Sequence, residues 1–215
     1  MTRHVLKKAN QHLARRPKTP AHQQTALSVR DWVETATDFL INNNVDSLDI
    51  PNLCRRLGVT KGSFYWHFKG RADLLRSILD DWRKRMTLDV SVRAERAGAT
   101  VESALHHLLG LIRKPRPNRN SAIERSVREW ARTDPITRAA VVDVDQMRLA
   151  FFEELFHRYG LPDREAHLRA YAAYALMMGD SILKDTVDLG YPTEDYIKTV
   201  VGLLLSQVAS NATQR

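Results

Sequence analysis

Residues 58–68 read GVTKGSFYWHF and combine aromatic rings with Lys61 and His67. If a helix starts at Thr60, Phe64 and Phe68 fall four apart on one side, and Gly62, Tyr65 and Trp66 lie opposite. Rings on two faces, with cations at the ends, suit a helix laid against a polyanion. Lys61, in the first turn, can reach a guanine edge or a phosphate. Gly62 and Ser63 are small, so the helix end can sit close to base edges. Tyr65 and His67 can donate hydrogen bonds to phosphate, and Lys69 and Arg71 add charge where the next helix begins. The start of that helix also offers free N–H groups and a positive dipole end to an anion.

Other groupings carry less chemistry. Glu154 and His157 have the Glu-x-x-His spacing of a di-iron bundle, which needs a second copy and two further glutamates. Glu165-Ala166-His167 has the wrong spacing, so a surface or capping role is expected. His106 and His107 are adjacent and would point about 100° apart on a helix, too far to chelate one ion alone. A half-buried or pocket-facing His106 is expected. Cys54, the single cysteine, lies between Arg55 and the apolar Leu53 and reads as a packing residue rather than a redox thiolate. Glycine loops for phosphate, Ser-His-Asp arrangements and metal-spaced cysteines are missing from the sequence, so neither cofactor nor metal is expected. Trp130, Met147, Phe151 and Tyr174 are the polarisable and aromatic side chains that a pocket for a small flat or lipophilic ligand would use. Taken singly, each reads rather as ordinary core.

The elements that must position these residues are helical throughout. Ser28 precedes a stripe of Val29, Val33, Ala36 and Leu40, which Asn42-Asn43-Asn44 ends. Asp49 caps a short second helix with Pro51 in its first turn, and Gly58 stops it. Thr60 caps the third, and Gly70 with Asp73 opens a fourth through Leu74, Ile78 and Trp82. Two short helices joined by a glycine turn make a helix-turn-helix pattern. Further helical stripes run over 101–112, 123–131, 136–159, 162 to about 189, and 192 to about 210, with breaks at Pro115-Arg116-Pro117 and Asp134-Pro135. The fold class predicted is all-α, with about nine helices.

The 215 residues are 43% apolar and carry a net charge of +8. Residues 1–27 hold six Lys or Arg and no acid, residues 28–87 hold ten basic and eight acidic residues, and residues 88–215 hold seventeen of each. A flexible basic arm (1–27) and a basic helical region (28–87) joined to a neutral helical region (88–215) are what a polyanion-binding end followed by a neutral end would show. One cysteine, no signal-peptide pattern and no long apolar run point to a cytoplasmic protein without a membrane partner. Leu168, Tyr171, Ala172, Ala175, Gly179, Ile182 and Leu183 mix small and apolar positions at helical spacing. Ile197, Val200, Val201, Leu204, Leu205 and Val208 make the last helix a poor outer surface for a monomer. A homodimer through the last two helices would cover both.

Leu53 to Leu75, LCRRLGVTKGSFYWHFKGRADLL, resembles the DNA-binding signature of the TetR-family repressors. In that family a Gly-Val-Ser/Thr turn, a Lys-Gly-Ser/Thr, an aromatic-rich Tyr-x-His-Phe and a downstream Leu-Leu recur. The resemblance implies a homodimer on a double-stranded operator of two inverted half-sites, with a small-molecule pocket in the C-terminal helices. It also implies DNA contacts from Thr60, Lys61, Gly62, Ser63, Tyr65 and His67, with Lys69 on phosphate. Trp66 departs from the family's usual polar or basic residue; it can stack on the sugar-phosphate backbone, touch a thymine methyl or cover the helix from outside. Leu48-Asp49 replaces the usual Thr-Thr or Thr-Ser pair, keeping the cap without a donor to phosphate. The expected function is a repressor released from DNA by ligand. An activator or a ligand-independent DNA binder on the same fold is the alternative, and an enzyme would need convergent catalytic groups that are missing here.

Overall fold

The computed structural model describes residues 27–97, 100–113 and 119–206, with the backbone for residues 88–97. The expected basic arm, the proline break at 115–117 and Val208 lie outside these residues. Among the described residues there are nine α-helices, one short 3-10 turn and no strand.

Local signals start and stop the helices. Ser28 and Asp31 form a reciprocal capping box at the start of α1 (Val29–Asn42). A 3-10 turn (Val45–Ser47) leads to Asp49, whose carboxylate accepts the Asn52 N–H at 2.6 Å and opens α2 (Ile50–Leu57). Gly58 then takes φ 67°, the left-handed conformation that a Cβ would disfavour. The chain turns through Val59, packed in the corner, into α3 (Lys61–His67). The fourth helix, α4 (Arg71–Ala97), runs without a break through the expected border at residues 87 and 88. The second half comprises α5 (Val101–Gly110), α6 (Arg119–Trp130), α7 (Pro135–Arg158), α8 (Asp163–Leu183) and α9 (Thr193–Leu205).

Two apolar cores result. The first joins α1–α4 to one side of α6 and the start of α7, through Ile123, Val127, Ala131, Ala140, Val141 and Val144. The second joins α5, the end of α7, α8 and α9, through Leu105, Leu108, Phe152, Phe156, Ala170 and Val201. α7 therefore belongs to both cores.

Two expectations need correction. The helix from Pro162 ends at Leu183, six residues short of the expected end, and turns at Lys184–Thr186 before Gly190 takes φ 68°. The run Asp185-Thr186-Val187-Asp188 holds weak helix formers, so the last turns have little to sustain them. The apolar stripe of α9 does not face outward either. Ile197, Val200, Val201 and Leu204 are buried within their own chain, in the core that α5 shares.

Candidate nucleic-acid interface

The core of the first half fixes α3 by one edge. Phe64 is fully buried, edge-on to the Trp32 ring at 5.3 Å and tilted on Phe68 at 5.2 Å. Leu53 and Cys54 of α2 complete the same core. With that edge pinned, the opposite face is displayed: Tyr65 is 58% exposed and Trp66 is 84% exposed. Lys61, Gly62 and Lys69 are also exposed, and Ser63 and His67 are partly so. Thr60 occupies the N-cap position of α3, yet its hydroxyl makes no capping hydrogen bond. It stays available to an outside acceptor. The structure thus brings Thr60, Lys61, Gly62, Ser63, Tyr65, Trp66, His67 and Lys69 onto one continuous stretch at and just after α3.

Two neighbouring groups behave differently from the sequence expectation. The Arg71 side chain does not add charge to the face. Its Nε donates to the Leu48 carbonyl at 2.8 Å, and its Nη2 donates to the Val45 carbonyl, locking the loop before α2 to the start of α4. The start of α4 is partly satisfied as well, because the Lys69 N–H donates to the Asp73 carboxylate at 3.0 Å. On α2, the Arg56 guanidinium lies over the Phe39 ring and its Nε donates to Asn52. Cys54 is buried, and that burial pushes its thiol above its ordinary pKa, as a packing role requires.

The four expected ligand residues are Trp130, Met147, Phe151 and Tyr174. Trp130 is partly buried and lines a surface cleft that contains none of the other three. Met147 is 46% exposed, and Phe151 packs edge-on to Phe152. Tyr174 is buried in a charged cluster that sequence reasoning missed. Arg148 holds Glu124 through two hydrogen bonds of 3.2 and 3.1 Å, and Arg128 bridges Glu124 and Asp145. The Tyr174 hydroxyl accepts from Arg128 and Arg148 and donates to Asp145 at 2.6 Å. Burial, the largest influence, pushes this phenol up to about 12. Glu124 with Arg128 and Asp145 with Arg148 are spaced four and three apart, which in sequence reads as a solvated helical face. Only the third dimension shows Glu124 and Arg148 buried, with Arg128 and Asp145 half-buried beside them.

His106 is half-buried, with Nε2 at 2.9 Å from Glu194 of α9. His157 lies 3.9 Å from both Glu153 and Asp163, and among the described residues no group of three or more potential ligands could hold a metal ion. No described helix is long and apolar enough to cross a membrane.

Comparison with known proteins places the same stretch. Residues 33–78 match the model of the bacterial regulatory proteins, tetR family. The HTH-type transcriptional regulator SrpR of Pseudomonas putida is 28% identical over 57 residues, covering 26% of this chain and 27% of that protein. The chain thus spans about a quarter of the length of that relative. The fold extends further. FadR of Bacillus subtilis, a transcriptional regulator solved with stearoyl-CoA, superposes with TM-score 0.61 at 16% identity, over 84% of this chain and 100% of that one. A candidate regulator from Saccharomonospora viridis solved with choline gives TM-score 0.64 at 20% identity, over 82% and 94%. The matched family and these relatives are regulators, not enzymes. With α1–α4 in place and the family pattern running through them, residues 33–78 carry the N-terminal domain pattern of the bacterial regulatory proteins, tetR family.

Proposed function

We propose that this chain is a cytoplasmic, homodimeric transcriptional repressor that reads an inverted-repeat operator with α3 and leaves it when a small ligand binds. The observation that carries the reading is the division of α3 into a buried edge and an exposed one, Phe64 at 0% beside Trp66 at 84%. In this reading Lys61, Gly62 and Ser63 approach base edges, while Thr60, Tyr65, His67 and Lys69 position the helix on phosphates. Trp66 has no packing role to hold it inward, which favours the DNA backbone as its partner.

The dimer is supported by α8, whose outer face exposes Leu168, Tyr171, Ile182 and Leu183 at 51–64%. That face, rather than the inward stripe of α9, is the surface that a second copy would cover. Two reading helices then sit about 34 Å apart, one turn of DNA, and a ligand that favours another spacing weakens both half-sites together. The stearoyl-CoA and choline held by the similar structures support a ligand-responsive second half.

Affinity for an operator selected from random DNA, and for scrambled DNA at the same salt, tests the reading. Lys61→Ala is expected to relax preference at particular bases by about 1–3 kcal/mol. His67→Ala is expected to weaken both DNAs nearly alike, since phosphate contacts carry no direct sequence information. If both folded variants keep wild-type operator affinity, α3 does not enter the groove.

A further inference from the structure

A cleft of about 410 Å³ opens where the two halves of the chain meet. Leu40 and Ile41 from the end of α1 and Asp46 from the 3-10 turn form one wall; Arg125, Glu129 and Trp130 of α6 form the other. Its size lies within the range of small-molecule sites, about 300–1,000 Å³. Its surface is that of an amphipathic site, with an indole and four aliphatic residues beside charged groups.

The sign of the charge follows from the partners of each group. Among the described residues Asp46 has no ion-pair partner; only its backbone N–H is engaged, with the Asn44 side chain. Glu129 meets Arg132 at 3.4 Å, but both side chains are about 70% exposed, so the pair is weak. The cation of the cleft is Arg125. Two carboxylates therefore stand against one guanidinium in the lining, next to an indole whose face attracts cations.

We infer that this cleft binds a small organic cation with a flat aromatic body, stacked on Trp130 and neutralised by Asp46 and Glu129. The site deepens the ligand-controlled reading, and rests on it only for the consequence. The wall that holds Asp46 continues into the loop which Arg71 ties to α4, immediately before α2. An occupant therefore touches both the second half and the segment that sets the pitch of the helix-turn-helix.

Calorimetry on the full-length protein without DNA tests binding with three probes of one shape. These are N-methylquinolinium (cation), 1-methylnaphthalene (neutral) and 1-naphthoate (anion). The cation is expected to bind at least tenfold tighter than the other two. Asp46→Asn with Glu129→Gln, both at exposed positions, is expected to remove that preference, and Trp130→Ala to weaken the cation about tenfold. The site is overturned if the cation shows no measurable binding, if the three probes bind alike, or if the double variant keeps the preference. The double variant decides the matter even if Trp130→Ala fails to fold. Because no DNA is present, such failure would leave the role of α3 in DNA binding standing, and loss of DNA binding would leave the cleft standing.

Discussion

At the scale of single residues, Arg71 and Lys69 illustrate how two neighbouring cations divide their work. Lys69 is exposed beside α3, where the proposed reading sets it on phosphate. Arg71 turns inward and joins the Val45 and Leu48 carbonyls to the start of α4. Losing hydrogen bonds from a charged donor costs about 1.5–3 kcal/mol. Arg71→Ala is therefore expected to lower the urea midpoint and to weaken binding to every DNA sequence, with the log–log salt slope unchanged. Lys69→Ala should leave the midpoint alone and reduce that slope by about 0.9, as a lost phosphate contact does. Equal slopes for the two variants would mean that Arg71 reaches the backbone after all. The sequence shows both residues as positive charge near a helix start. It does not show Arg71's acceptors, because they are carbonyls 23 and 26 residues away whose approach depends on how the loop folds. The types at 60–67 were legible because a 3.6-residue period puts Phe64 and Trp66 on different faces whatever the rest of the chain does.

At the scale of elements, α8 and α9 separate apolar character from exposure. Both helices read as interface material in sequence, yet Val201 and Leu204 of α9 are 2% and 6% exposed while Tyr171 and Ile182 of α8 are 64% and 62% exposed. Periodicity marks an apolar stripe; it cannot say whether α5 of the same chain or a second copy covers it. Leu204→Glu is accordingly expected to unfold the second half, since it places an unpaired carboxylate in a core. Ile182→Glu should leave the circular dichroism spectrum and urea transition intact while sedimentation shifts toward monomer. A folded Leu204→Glu variant that becomes monomeric would return the interface to α9. Helix starts were easier to place than this face, because Ser28 and Asp49 are local caps whose hydrogen bonds need only the next three residues. The end of α8 was harder, since a helix without a strong stop frays where tertiary support ends.

At the scale of the whole molecule, the charge map divides the chain near residue 87, but packing does not. α4 continues to Ala97, and the core built on Trp32, Phe64 and Trp82 also takes in Ile123, Val127, Ala140, Val141 and Val144 of α6 and α7. A charge map counts residues in sequence order, whereas a core collects them by distance, so the shared core could not be read beforehand. Beside it, the cluster of Glu124, Arg128, Asp145, Arg148 and Tyr174 holds the adjoining face of α6. α6 is thus gripped by the DNA-side core on one face and by a polar cluster with fixed geometry on another. Such a helix passes a displacement on instead of absorbing it, because a close-packed interior is barely compressible. The same packing makes the N-terminal half dependent on the rest. Fully burying one side chain of the Val or Ile kind is worth about 1.5–3 kcal/mol, and a domain of roughly 60 residues is already marginal. A fragment of residues 27–97 loses at least Ile123, Val127, Val141 and Val144 from its core. It is expected to show reduced helical circular dichroism, no cooperative urea transition and no preference between operator and scrambled DNA. The full chain should show all three properties intact. A cooperative transition from the isolated fragment, with operator preference kept, would mean that the first half folds by itself and that its contact with α6 serves only to transmit the ligand's effect.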